Sequence, residues 1–136
     1  MNLKTITKLS LFVFSLLLTS NIGAQEITDS KVGILSFESE VIDYGTIVQN
    51  ENGLRAFKFT NTGKAAVVIS KVKSSCGCTV ASKPDQPILP GESAQIEVNY
   101  DTKRIGTFSK SITVLSNARE SSMILKIKGT IKKGSS

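Results

Sequence analysis

The chain contains no histidine and no tryptophan in 136 residues. Without histidine it lacks the side chain most used for acid–base chemistry near neutrality, the usual activator of a nucleophilic serine or cysteine, and the commonest nitrogen ligand for metals. A hydrolase built on this chain would depend on carboxylates alone. Asp43, Asp85, Glu92, Glu97 and Asp101 fall on strand-like and loop-like stretches with no spacing that pairs them, and they read as solvated surface acids. The missing tryptophan excludes the buried core ring of antibody-type domains. All three prolines lie between Pro84 and Pro90, so that segment is barred from an interior strand. Two cysteines are too few for a disulfide framework. These absences point away from an enzyme and from a bound cofactor.

The chain opens with an export pattern. Lys4 and Lys8 precede an apolar run, Leu9 to Leu18, which is shorter than the roughly 20 residues of a membrane span. Ile22-Gly23-Ala24 then places small residues at a cleavage position. The expectation is a cleaved signal peptide over 1–24, a mature chain starting at Gln25 with no membrane span, and a periplasmic or extracellular destination. Residues 1–24 hold two lysines and no acid, so their removal takes 17 basic residues to 15 against 11 acidic ones and the net charge from +6 to +4. The excess is mild and spread out. Lys71-Val72-Lys73 and Lys126-Ile127-Lys128 alternate like strands with lysine on one face, the pattern of a solvated face and protected edges. Nucleic-acid binding would need denser basic clusters interleaved with aromatics and is not expected. Attraction to an anionic envelope or polyanionic glycan fits the charge.

Residues 25–136 amount to one domain, long enough to hold itself together without a metal. Turn signals recur about every eight to twelve residues, the spacing of an all-β sandwich. Val32 to Phe37 and Val41 to Tyr44 are short apolar stretches, the second ended by Asp43-Tyr44-Gly45-Thr46. Leu54 to Thr60 carries Phe57 and Phe59 at period two. Asn61-Thr62-Gly63-Lys64 reads as a hairpin-type turn in which Asn and Gly supply positive φ. Ala65 to Val72 is rich in β-branched residues, and Thr79 to Ser82 makes a brief strand after the cysteines. Ala94 to Tyr100 puts Ile96, Val98 and Tyr100 on one face. Thr107 to Leu115 puts Phe108, Ile112 and Val114 on one face, with Lys110 as an exception. Ser122 to Ile131 closes the fold with Met123, Leu125 and Ile127 inward. No helical period appears. The fold expected is an immunoglobulin-like β-sandwich of about seven strands over 32–131, after an N-terminal extension at 25–31 and before a disordered tail at 132–136.

Several fragments together resemble a known family. They are Asp43-Tyr44-Gly45-Thr46-Ile47, Phe57 through Lys64, Ser75-Cys76-Gly77-Cys78-Thr79, Ile88-Leu89-Pro90-Gly91-Glu92, Tyr100 with Gly106 and Lys110, Val114-Leu115-Ser116-Asn117, and Lys128-Gly129. The chain from Asp43 to about Ile131 resembles the exported bacterial proteins grouped as domain of unknown function family 1573. Tyr44 stands where that family usually has Phe. The resemblance implies an Ig-like fold related to the domains of sperm proteins and ciliary Hydin-type proteins, and it implies no activity.

The one hint of chemistry is Cys76-Gly77-Cys78. In extended backbone the two cysteines share a face with Cα atoms about 6.6 Å apart. A disulfide needs roughly 4.4–6.8 Å, and Gly77 can bend the chain to shorten the gap. Three readings stand: a cystine or thiol pair that shapes a loop, a redox pair, or two thiolates for Cu(I). Zinc would need two further ligands that histidine cannot supply. The function expected is an exported, non-enzymatic binding or structural module of the cell envelope, with a protein or envelope component as partner. The alternative is a thiol–disulfide or copper-handling protein acting through Cys76 and Cys78.

Overall fold

Period-two burial turns into strands wherever Phe, Ile, Val or Leu recurs at alternate positions. The computed structural model describes residues 31–135. The expected signal peptide and nearly all of the N-terminal extension lie outside the described residues, as does Ser136. Eight strands form: β1 (Leu35–Phe37), β2 (Val41–Val48), β3 (Leu54–Asn61), β4 (Ile69–Ser74), β5 (Thr79–Ser82), β6 (Ser93–Tyr100), β7 (Gly106–Ser116) and β8 (Ser122–Lys132). One sheet has the order β1-β3-β6-β5 and the other β2-β8-β7-β4. They stack as the expected immunoglobulin-like sandwich, with β1 and β5 as short edge strands.

The inward faces are those the alternation marks. Phe57 and Phe59 on β3 oppose Ile96 and Ala94 on β6. Ile112 and Val114 on β7 oppose Leu125 and Met123 on β8. Phe57, Phe59, Ile96, Val98, Ile112, Leu125 and Ile127 are each at most 1% exposed. Met123 is only half-buried, because the sandwich opens at its end into a notch shared with Leu35 and Ala118. Lys110 occupies an inward position opposite Ile127 and is half-buried rather than exposed.

β1 begins at Leu35 rather than Val32 and β4 runs Ile69–Ser74 rather than from Ala65 to Val72, and three further boundaries differ from the sequence expectation. First, β2 does not end at Asp43-Tyr44-Gly45-Thr46. Gly45 adopts φ +64, the register with β8 shifts between Asp43 and Thr46, and the strand resumes to Val48. The segment is a bulge that only a residue free to enter the left-handed region forms cheaply. Second, β8 includes Lys132, which pairs with Val48 and so takes the first residue of the expected tail. Third, Asn61–Lys64 is not a hairpin turn, because β3 and β4 belong to different sheets and the segment crosses between them. Gly63 has no positive φ. Its role is clearance: a Cβ there would collide with the backbone of Val32, Gly33 and Ile34.

Asn61 explains how that crossing holds. Its side chain is fully buried. Oδ1 accepts hydrogen bonds from the N–H groups of Ile34 (3.1 Å) and Gly63 (3.0 Å), and Nδ2 donates to the carbonyls of Ala65 (2.8 Å) and Ile88 (2.9 Å). Its backbone N–H donates to Glu92 O (2.9 Å), and its carbonyl accepts from Gly91 (2.7 Å). Six bonds therefore join the start of β1, the crossing and the proline segment. The proline segment also docks on Val67, which exchanges two backbone bonds with Ile88.

Replacing Asn61 by Ala leaves the N–H groups of Ile34 and Gly63 and the carbonyl of Ala65 without their side-chain partner, while Ile88 O keeps its bond from Val67. Each group so left costs roughly 1–3 kcal/mol. Urea denaturation should show a loss of about 3 kcal/mol or more. Val98→Ala in the same core should cost on the order of 1–3 kcal/mol as a cavity effect. An Asn61→Ala protein as stable as the Val98→Ala protein would contradict the bracing role.

Candidate functional site

The cysteine segment is the bridge between two edge strands of opposite sheets, β4 and β5. Each end is tied to its own sheet. Ser75 donates from its N–H to Ser111 O (2.9 Å), and its Oγ accepts from the Ser111 N–H (3.1 Å), which continues the β4–β7 ladder. On the other side, Cys78 O accepts from the Asp101 N–H (2.8 Å), just beyond β6. Ser74 faces inward, and its hydroxyl sits between the carbonyls of Cys76 (2.6 Å) and Thr79 (2.8 Å).

Within this frame Cys76 and Cys78 are joined by a disulfide, with Cα atoms 5.4 Å apart. Gly77 supplies the bend and stays exposed. The two sulfurs differ in setting. Cys78 is 5% exposed and part of the core, whereas Cys76 is half-buried and its Sγ lies 3.3 Å from the Cys78 N–H. Among the described residues no group of three or more His, Cys, Asp or Glu could hold a metal ion. Among the described residues, copper binding at this turn would draw on the two cysteine thiolates, which are available after reduction of the disulfide.

Two further loops meet the cystine. The β2–β3 loop carries Asn50 at φ +71. The β6–β7 loop docks on it through Thr102, whose buried hydroxyl donates to Glu51 O (2.6 Å). Gly53 is needed for this approach, since a Cβ there would run into the carbonyl of Tyr100. An open depression of about 530 Å³ results, bordered by Asn52, Gly53, Gly77, Cys78, Val80 and Asp101. Val80, on β5, is 69% exposed beside it. The only advance signal for these loops was their Asn, Gly and Asp content.

Tyr100 lines this depression and belongs to a cluster of three aromatic rings in the core behind it. Phe108 stacks on Tyr100 at 3.8 Å and meets Tyr44 edge-on at 5.3 Å. The Tyr44 hydroxyl donates to Gly53 O (2.6 Å), which pins the β2–β3 loop to the core, and the Arg55 guanidinium lies 4.3 Å over the Tyr44 ring. Burial pushes the Tyr44 phenol above its ordinary pKa, with Arg55 pulling it part of the way back. Burial likewise raises Tyr100, opposed by Arg104 and reinforced by Asp101.

The family model described as protein of unknown function, DUF1573, matches residues 35–131. The chain belongs to this family. No curated protein matches it. Among solved structures, a DUF1573-like sandwich is found in a protein of unknown function from Porphyromonas gingivalis W83, with TM-score 0.67 and 17% identity over 79% of this chain and 51% of that one. This DUF1573 chain thus spans about half the length of that relative. The ASH/PapD-like domain 7 of human CEP192 matches with TM-score 0.63 and 9% identity, covering 82% of this chain and 94% of that one. A chain of the CsuC–CsuE chaperone–tip adhesion subunit pre-assembly complex of Acinetobacter baumannii matches with TM-score 0.51 and 14% identity, over 74% and 57%. At these identities the likeness is one of fold. Among the described residues no helix is long and apolar enough to cross a membrane.

Two outcomes follow from the geometry. Both buried phenols are raised above their unfolded value near 10, so the stability gained by keeping them neutral is complete below about pH 10 and is lost as pH rises through the higher folded values. The denaturation midpoint should fall above about pH 10, and Tyr44→Phe should flatten that fall. The cystine closes a ring of only three residues, so the chain-entropy relation gives it on the order of 1.5 kcal/mol. Thiol titration of the denatured protein should find no free thiol. The Cys76→Ser, Cys78→Ser double variant should stay folded and lose about that much in urea. A collapse of the fold would mean that the cystine is a principal staple instead.

Proposed function

We propose that this DUF1573 protein is an exported, non-enzymatic binding module of the cell envelope that engages a protein partner through its cystine-closed end. The supporting observation is convergence. Loops from both sheets meet there around one covalently fixed turn, and beside them β5 presents an unpaired edge and the exposed Val80. An edge strand with free backbone groups and an apolar side chain is the kind of surface to which an extended segment of another protein adds. The fold likeness to a PapD-like domain and to a chain of a chaperone–adhesion subunit complex supports the reading, as does the export pattern at residues 1–24. The absence of histidine from the whole chain argues against acid–base catalysis.

A second reading has its own observation. Cys76 is the more exposed sulfur, so an incoming thiolate would attack its Sγ, forming a mixed disulfide there and releasing the Cys78 thiolate. A second external thiolate attacking the incoming sulfur would then carry it off as a disulfide and free the Cys76 thiolate, whose Sγ lies next to the Cys78 N–H.

Both readings are tested in cells that export the protein. Intact mass should match residues 25–136 in the exported fraction. A photo-cross-linking residue at position 80 should trap a protein adduct that a probe at Lys58 does not. The adduct should persist in the double Cys→Ser variant if the end is a binding surface. Adducts that need Cys76, together with reduction of a model disulfide by the dithiol form, would replace the binding reading with the exchange one.

A further inference from the structure

The two lysine alternations in the sequence lie on the same surface. Residues that point outward from β2, β8, β7 and β4 form a grid. In it Lys73 lines up with Thr113 and Ile124, Ser111 with Lys126 and Val41, and Ser109 with Lys128 and Asp43. Lys71 stands opposite Leu115, a further row holds Thr107, Thr130 and Thr46, and Lys132 stands beside Val48 beyond it. Five lysines face one acid, Asp43, which lies 4.0 Å from Lys128 in a loose, exposed ion pair. Among the described residues Lys71, Lys73 and Lys126 have no ion-pair partner. The outward positions of the central strands of the other sheet carry Lys58 on β3 and Glu97 on β6, so the charge is one-sided.

The basic face is also rich in hydroxyls. Around the Gly45 bulge lies a shallow depression of about 390 Å³ bordered by Asp43, Thr46, Ser109, Lys128 and Thr130, with Gly129 and the largely buried Phe108 also in its lining. No aromatic side chain points outward from these four strands. That counts against a single-stranded nucleic acid, which is gripped by stacking bases on aromatic rings. A bilayer is held by an apolar face sunk among acyl chains. Here Leu115 and Ile124 share their rows with Lys71 and Lys73. A polymer with both spaced anions and hydroxyls matches lysines interleaved with serine and threonine.

We propose that the outer face of the β2-β8-β7-β4 sheet binds an acidic polysaccharide, its carboxylates or sulfates at Lys73, Lys126 and Lys128 and its hydroxyls in the trough beside Gly45. This surface is separate from the cystine end and does not depend on what that end recognises.

The test uses the purified protein with alginate and heparin as acidic polymers, dextran as the neutral one, phosphatidylglycerol vesicles, and single-stranded DNA. Alginate or heparin should bind most tightly and dextran should not bind. Lys73→Gln, Lys126→Gln and Lys128→Gln together should weaken binding on the order of tenfold and make its salt dependence shallower. Lys58→Gln, on the opposite face, should change little. Ser109→Ala with Thr130→Val should weaken binding while leaving the salt slope unchanged, since no charge is removed. Amide resonance shifts on adding alginate should fall at Ser109, Lys128 and Thr130 rather than at Gly77 and Val80. Tighter binding of vesicles or DNA, an equal effect of Lys58→Gln, or no effect of the hydroxyl pair would overturn the assignment. Shifts confined to the cystine end would overturn it too, while leaving the reading of that end standing.

Discussion

The sandwich depends on one buried amide. Two sheets that share no backbone pairing need something polar to carry the chain from one to the other, because every peptide group in the crossing must find a partner away from water. Asn61 supplies it. A carboxamide offers two donor and two acceptor sites, and here both kinds are used twice, on segments up to 27 residues apart. The surrounding glycine and proline chemistry follows from that position. Gly63 is small so that the crossing can press against β1, and Gly91 adopts φ +83 while donating to the Asn61 carbonyl. Asn61-Thr62-Gly63 and Pro90-Gly91-Glu92 are two short stretches in sequence and one hydrogen-bonded unit in space.

The cystine has the opposite character. It is covalent, yet its ring is so small that it limits the unfolded chain very little. What it does is local. It fixes the turn between β4 and β5 while Ser75 and Cys78 tie the two sides of that turn to different sheets. The bond orders a surface rather than securing the fold, and the aromatic stack of Tyr100 on Phe108 keeps the ground beneath it firm.

Much of the fold was legible. Alternation at Phe57/Phe59 and Ile96/Val98/Tyr100 marks buried faces because strand side chains alternate without exception, and those residues are in the core. A pair of cysteines one residue apart could bridge or not, and geometry alone left that open. What escaped was non-local. Asn61 looks like a turn residue because short polar side chains usually bond to their own neighbours. Its real partners at Ile34 and Ile88 are named by nothing nearby. Each lysine alternation announced an outward face, but no pattern tells that β4 and β8 are in one sheet. The bulge at Gly45 was mistaken for a strand end, since glycine serves equally well to stop a strand and to kink it.

The pairing of β2 with β8 has a mechanical side. These strands run parallel, with Val41 beside Lys126 and Val48 beside Lys132. A tension that draws the start of β2 away from the end of β8 therefore acts along the strands. It loads all six matched positions in shear at once, rather than peeling them open singly like a zip. Antiparallel neighbours pulled apart at a shared end would yield one bond after another. A chain held at the start of β2 and tugged at the end of β8 would meet that pull in its stiffest direction.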